Sequence, residues 1–248
     1  MVIDDNGKGL STTGLGHGDA QHTGDLDPYR WGLEHFACNE DNPAMNYRNA
    51  TTSKIYYRLQ GTDDDGRALC GNFTNQYPGC VGKSALSAVI STVADKPLPG
   101  LPGFDLNFRI YWDGDLCEEI LNSPGTEGTA KIDKMVGSGI TRIFPSSDTK
   151  MNNWTKNNPG ATGDILGDWR EEMVLRTSDN AKLRIYTTVT PTPHRIYTLW
   201  HDHQYRNAMV WQSMGYNEEM ILLLTRDGLY VEAQLTTDTI FDGKDVVI

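Results

Sequence analysis

GDILGDWREEMVLRT, residues 163 to 177, carries the pattern on which the fold is read. A glycine and an aspartate open it, a second Gly-Asp turn follows, and an apolar alternating run closes it. Asp164 and Asp168 stand on either side of Gly167, and Glu172 heads the run EMVLR. Alternate residues of a strand face the same side, so Glu172 rather than Glu171 falls on the loop side with Asp168. GDLDPYRWGLEHFAC (24 to 38) and GNFTNQYPGCVGKSA (71 to 85) repeat the plan of acidic or amide-bearing turn, then strand. Such units recur in β-propeller blades, small sheets that bury their faces against their neighbours. The copies are irregular, so on pattern alone a β-sandwich stays open beside the propeller.

Outward from these copies the same texture continues. SKIYYRLQ, SALSAVIST, FDLNFRIYWDGD, LRIYTTVT and MILLLTRDGLYVEAQL are runs of strand composition bounded by Gly, Asp, Asn or Pro, within a chain holding 25 glycines and 11 prolines. Their β-branched and aromatic content predicts an all-β fold. HRIYTLWHDHQYRNAMVWQS also scores as a helix by the spacing of its Tyr, Leu and Trp residues.

The chain has 248 residues, room for one large all-β domain spanning 1–248 or for two ordinary ones, and its 38% hydrophobic content is enough to bury a core. Its formal net charge of -11 argues against nucleic acid, which needs clustered Lys and Arg, and suits cations. No apolar run approaches the roughly 20 residues of a membrane span. The opening MVIDDNGKGL has neither the basic start nor the apolar stretch of a signal peptide, so a soluble chain without an export signal is expected. Cys38, Cys70, Cys80 and Cys117 lack CxxC spacing, which argues against a zinc knuckle. A Cys70–Cys80 disulfide is compatible with the spacing but not required.

Calcium takes about six to eight oxygen ligands, and a tight turn with alternating carboxylates can wrap them round one ion. Two copies offer such sets: Asp164, Asp168 and Glu172, and Asp25, Asp27 and Glu34. The copy NFTNQYPGCV keeps Asn72 but has Thr74 and Cys80 where acids would stand, and reads as metal-free. A further group begins with GHGD (16 to 19), where His17 and Asp19, two apart on an extended segment, face the same way, and Glu40 in HFACNE can join them from the next strand. A structural His–Asp hydrogen bond and a ligand pair are both open here, and a histidine more often points to a metal softer than calcium.

Taken together and in order, GHGDAQHTGDLDPYRWGLEHF, DDGRALCGN, NFRIYWDGDLCEEIL, NNWTK, GDILGDWREEMVLRT, LRIYTTVTPTPHRIYTLWHDHQYR and VWQSMGYN resemble the C-terminal part of polysaccharide lyase family eleven, the rhamnogalacturonan lyases. The resemblance implies a calcium-loaded eight-bladed β-propeller, present here as roughly four to five blades without the first ones. It implies cleavage of the alternating rhamnose and galacturonate backbone of pectin by β-elimination. By position, His17, Asp19 and Glu40 match ligands of active-site calcium, Arg67 and Lys156 match catalytic residues, and Asn153, Thr155 and Tyr216 match sugar-contacting positions. Trp154 departs from the family, which has a glycine there. That puts the loop's backbone conformation in doubt, because Trp tolerates positive φ poorly, and it offers an indole that can stack on a sugar ring. The resemblance implies a parent protein that is extracellular, at the cell surface or periplasmic and acts on a pectic polysaccharide. A partial propeller exposes sheet surface that missing blades or self-association would cover.

The chemistry this implies starts with the C5 proton of a galacturonate, which lies beside a carboxylate. Calcium on that carboxylate, with Arg67 beside it, would stabilise the enolate-like transition state. Lys156 is the candidate base, since an amine crowded by positive charge yields its proton far more readily than a guanidinium. Tyr216 would position the sugar or return a proton to the leaving oxygen. Two rival readings remain: a glycoside hydrolase using a carboxylate pair such as Asp164 and Glu172, and a non-catalytic carbohydrate-binding or structural calcium module.

Overall fold

A computed structural model describes residues 1–212 and 217–221 of the chain. A short hairpin of β1 (Val2–Ile3) and β2 (Gly9–Ser11) precedes four larger sheets laid down in chain order. The first contains β3 (Ala20–Gly24), β4 (Glu34–Asn39), β5 (Ala44–Asn49) and β6 (Ile55–Gln60), each antiparallel to the one before. The second runs β7 (Ala68–Gly71), β8 (Val81–Ser84), β9 (Ile90–Ser91) and β10 (Lys96–Pro97). The third runs β11 (Phe108–Ile110), β12 (Glu119–Asn122), β13 (Lys131–Val136) and β14 (Gly139–Pro145). In the fourth, β15 (Thr149–Lys150), β16 (Ala161–Gly163) and β18 (Leu183–Tyr186) all pair with β17 (Glu172–Thr177). A helix α1 (His203–Trp211) and a strand β19 (Asn217–Ile221), parallel to β3, follow.

Alternation within the strands explains why the sheets stack. Phe36 and Cys38 of β4 stand opposite Tyr47 and Met45 of β5, and this face packs on Ala68, Cys70, Cys80 and Ile90 of the second sheet. The next residue of β7, Leu69, points the other way, joining Phe73 and Val81 against Phe104, Ile120 and Met135 of the third sheet. Leu121, beside Ile120, turns onward again to pack with Phe108, Ile110 and Ile132 against Met151, Met173 and Leu175. A strand buried on both faces must be apolar at successive positions, which is how Ala68–Leu69–Cys70 and Ile120–Leu121 read. The contact is close enough to need glycine, because a Cβ on Gly82 would lie 2.6 Å from the Phe36 ring. Truncating a ring buried this way typically costs about 3–5 kcal/mol.

The all-β expectation holds, and the stretch that also scored as a helix divides. HRIYT (194 to 198) is not helical, Leu199–His201 forms one 3-10 turn, and His203–Trp211 is an α-helix, with the Asp202 side chain accepting from the Tyr205 amide at 2.6 Å as an N-cap. The disulfide that the cysteine spacing allowed is not formed. All four cysteines are thiols, and a hydrogen bond from Cys70, with burial, pushes the Cys80 thiol up. No helix among the described residues is long and apolar enough to cross a membrane.

Candidate active site

The segment before β3 is held by two glycines that only glycine chemistry allows. Gly16 has φ of 83°, and a Cβ there would sit 2.5 Å from the Asp41 carboxylate; a Cβ on Gly18 would sit 2.1 Å from the Cys38 carbonyl. The loop therefore lies directly on the end of β4, where the Glu40 amide donates to the His17 carbonyl at 2.8 Å and the His17 amide to Asp41 at 2.8 Å. His17 Nε2 and Asp19 Oδ1 are 3.0 Å apart, with the imidazole 63% exposed. Ligand atoms of His17, Asp19 and Glu40 lie within 4.8 Å of one another, as the sequence pattern anticipated. Desolvation first, and then Asp19 and Asp64, push the Glu40 carboxyl up, as carboxylates brought together without a cation must.

Arg67 enters this group from the loop before β7. The preceding residue, Gly66, is close enough to the cluster that a Cβ on it would meet Asp64 Oδ1 at 3.1 Å and Asp19 Oδ2 at 3.8 Å. Arg67 Nη1 donates to the Gly66 carbonyl at 2.7 Å, and Nη2 reaches the Thr155 hydroxyl at 3.4 Å. Thus loops of the first, second and fourth sheets meet. Asp64 is a member that the motif reading passed over, although the run DDDGR carries it.

The third contributor is the turn Asn153–Asn157. Asn153, Trp154 and Asn157 have φ of 59°, 52° and 51°, so Trp154, where the resemblance implies a glycine, stands in the left-handed region. That conformation costs an ordinary residue about 1–2 kcal/mol. Glu127 holds it: its Oε1 accepts from the Trp154 amide at 3.1 Å, and its own amide donates to the Trp154 carbonyl at 3.2 Å. Arg176 fixes Glu127 in turn through a 2.8 Å pair and donates to Asn152 Oδ1 at 2.8 Å. The Trp154 side chain stands 65% exposed with the Lys156 ammonium 5.6 Å from its ring centre, a cation–π contact on an open surface. Asn153 donates to Asn158 Oδ1 at 3.0 Å. Tyr216 lies outside the described residues.

The acidic loops behave differently from one another. Glu34 Oε2 accepts from the Leu26 and Asp27 amides at 3.0 and 3.1 Å, leaving buried Glu34 Oε1 and Asp25 Oδ1 with no hydrogen-bond partner. Burial, and then Asp27, raises Asp25 to about 7, and burial raises Glu34 to about 8. Orphaned buried carboxylate oxygens are costly, and a hard cation is the partner their chemistry asks for. Yet Asp25, Asp27 and Glu34 do not converge as the first trio does, because Asp27 turns to Arg30 at 3.3 Å.

Among the described residues the ligand atoms of Asp164, Asp168 and Glu172 do not all lie within 4.8 Å of one another, although Asp168 and Asp164, behind the effect of burial, help to push the Glu172 carboxyl up. Asp168 pairs with Arg170, while Asp164 Oδ2 accepts from the Thr198 hydroxyl and the Leu199 amide at 2.7 and 2.8 Å. Glu172 is on the loop side as the alternation required, accepting from the Leu166 amide at 2.9 Å, whereas Glu171 is buried against Arg109 and the Tyr111 amide. Asp164 and Glu172 are both wholly buried, which removes them as an acid–base pair for a glycoside hydrolase.

The second converging trio among the described residues, Asp113, Asp115 and Glu119, was missed. It is a fourth copy of the unit, YWDGDLCEEI, read as the end of a strand because the aromatic run masks its turn.

The family described as "Rhamnogalacturonan lyase family 11, C-terminal domain" matches residues 1–223. The chain is 44% identical over 223 residues to the rhamnogalacturonan endolyase YesW of Bacillus subtilis, covering 88% of this chain and 35% of that protein. It is 39% identical to the rhamnogalacturonan exolyase YesX of the same organism, covering 38% of it. Among solved structures, that of exotype YesX superposes with a TM-score of 0.81 at 38% identity over 88% of this chain and 39% of that one. The rhamnogalacturonan lyase PL11 of Bacillus licheniformis gives 0.79 at 40% identity over 92% of this chain and 38% of the other. The chain thus spans well under half the length of the relatives it matches.

Proposed function

The chain belongs to rhamnogalacturonan lyase family 11, and from that premise we propose that it supplies catalytic loops of a lyase that cleaves the rhamnose–galacturonate backbone of pectin by calcium-assisted β-elimination. The single observation that supports the reading is the Arg67–Thr155 contact beside Asp19, where the His17–Asp19–Glu40 cluster, Arg67 and the Asn153–Asn157 turn come together. In this reading the four stacked sheets are blades of a propeller whose remaining blades lie elsewhere in a longer protein, as the successive two-faced cores support.

His17, Asp19 and Glu40 would hold the calcium, which would supply charge neutralisation at a uronate carboxylate. Arg67 places a planar guanidinium against the same carboxylate and so lowers the cost of negative charge growing on it. Lys156 takes the C5 proton at its Nζ, and its neighbour Trp154 offers an apolar face on which a sugar ring can stack. Thr155, held by Arg67, and Asn153 orient the sugar, with Tyr216 expected to assist.

The test is ultraviolet absorbance from the conjugated double bond that only a lyase creates, measured with rhamnogalacturonan and this chain alone and together with the N-terminal portion of a relative. Appearance of that product in calcium, and its loss in Lys156→Ala, are expected. Saccharide binding without any turnover in either mixture would instead favour a calcium-dependent carbohydrate-binding module, the reading that the short span of the relatives' length keeps in play.

A further inference from the structure

The β11–β12 loop repeats the design of the β3–β4 loop with one difference. In both, a wholly buried glutamate at the head of the second strand accepts two amides of the loop: Glu34 from Leu26 and Asp27, and Glu119 from Trp112 and Asp113, the latter at 2.9 and 3.2 Å. In the β3–β4 loop, Glu34 Oε1 and Asp25 Oδ1 have no hydrogen-bond partner. In the β11–β12 loop the free oxygen of Glu119 and the carboxylates of Asp113 and Asp115 have one. Lys134, from the neighbouring strand β13, brings its Nζ to Asp115 Oδ2 at 2.7 Å, to Glu119 Oε1 at 3.0 Å and into direct contact with Asp113 Oδ2.

An ammonium has three donors and no acceptor, and here three carboxylates take one each. The lysine stem is largely buried, so the charge is tethered where a loose ion would sit. A divalent ion would have to expel a cation that already satisfies every ligand. The residues of this loop therefore do not fit a bound metal, although their three ligand atoms lie within 4.8 Å of one another.

We propose that the Asp113–Asp115–Glu119 loop is a cation site filled by the chain's own lysine, so that it takes no calcium while Lys134 is present and becomes a calcium site when Lys134 is removed. The inference deepens the calcium reading of the other loops but is separable from it. It predicts a difference between variants, whatever number of ions the unaltered chain binds.

The experiment is calcium stoichiometry by equilibrium dialysis and elemental analysis, on the unaltered chain, Lys134→Gln, Asp115→Asn and the double variant, with circular dichroism to confirm folding. Lys134→Gln is expected to gain one calcium per chain, and the double variant to lose that gain. Asp115→Asn alone is expected to match the unaltered chain. A loss of one calcium in Asp115→Asn would overturn the proposal, since a metal would then already occupy the loop. So would a folded Lys134→Gln that gains none. Should Lys134→Gln not fold, Lys134→Arg, which keeps the tethered charge, is expected to fold with unaltered stoichiometry; an added calcium there would overturn the proposal equally. Calcium-free behaviour of the unaltered chain with a gain in Lys134→Gln would defeat the calcium reading of the other loops and leave this one standing.

Discussion

Arg67 Nη2 donates to the Thr155 hydroxyl at 3.4 Å across a separation of 88 residues. The contact joins a loop of the second sheet to a turn of the fourth, and it lies beside the His17–Asp19–Glu40 cluster of the first. A long, exposed-to-half-buried contact of this kind adds little stability. Its consequence is geometric, since it sets the guanidinium and the lysine turn in one register.

Lys156→Ala should therefore lower formation of unsaturated product by about 10²- to 10⁴-fold, the usual cost of a missing general base, while leaving the melting curve unchanged. Arg67→Lys should lower turnover and weaken substrate binding together, because a point charge cannot replace a two-pronged guanidinium at a carboxylate. Near-normal activity in Lys156→Ala, measured in a mixture that is otherwise active, would move the base assignment elsewhere.

Trp154 is the one left-handed residue of the turn that is both bulky and exposed. Trp154→Gly should raise stability by about 1 kcal/mol through relief of strain while raising KM for the polysaccharide through loss of the stacking face. Thermal denaturation and steady-state kinetics on the same sample separate the two effects. A lower melting temperature with unaltered KM would mean that the indole serves packing alone.

How much of this was legible in the sequence depends on the range of the signal. The strands could be read because alternation is local: ALC and EMVLR show their two faces within a few residues. Copies of the acidic unit were legible where glycine framed them, as at Gly24 and Gly163, and hidden at Asp113, where Tyr111 and Trp112 extend the strand pattern into the turn. The ion pair at Asp168 has another origin. Spacing places a carboxylate in a loop but does not say which cation it meets, and Arg170, two residues on, takes it. Lys134 and the meeting of Arg67 with Thr155 are products of tertiary structure, with no local pattern to announce them.

Calcium should stabilise the chain through the β3–β4 loop. A ligand that binds only the folded state adds about 2.7 kcal/mol at a hundredfold excess over Kd. Adding chelator should therefore lower the melting temperature by several degrees, and Asp25→Ala should remove much of that response. Asp168→Ala should not, because its carboxylate is exposed and paired with Arg170. An identical melting curve with and without chelator would refute the calcium reading of this loop.

The buried charges between the sheets predict a pH dependence separate from any metal. Arg109 is shared by Glu118, with Nε and Oε1 3.1 Å apart in an ion pair that lacks hydrogen-bond alignment, and by Glu171 at 3.0 Å. Glu118 Oε2 also accepts the Asn72 amide at 2.7 Å, so the glutamate bridges the second and third sheets. Burial raises its carboxyl to about 7, against the lowering by Arg109, because one guanidinium faces two carboxylates out of water. The folded state thus holds a proton that the unfolded chain releases near its ordinary carboxyl value. Where the folded state binds more protons than the unfolded one, stability falls as pH rises. That contribution is fully present below about 4.5 and is lost progressively up to about 7. Glu118→Gln is neutral throughout, so in chelator its stability should fall less steeply with pH over that window than that of the unaltered chain. Urea denaturation at several pH values measures the slope, and equal slopes for the two proteins would show that Glu118 is already ionised in the folded state.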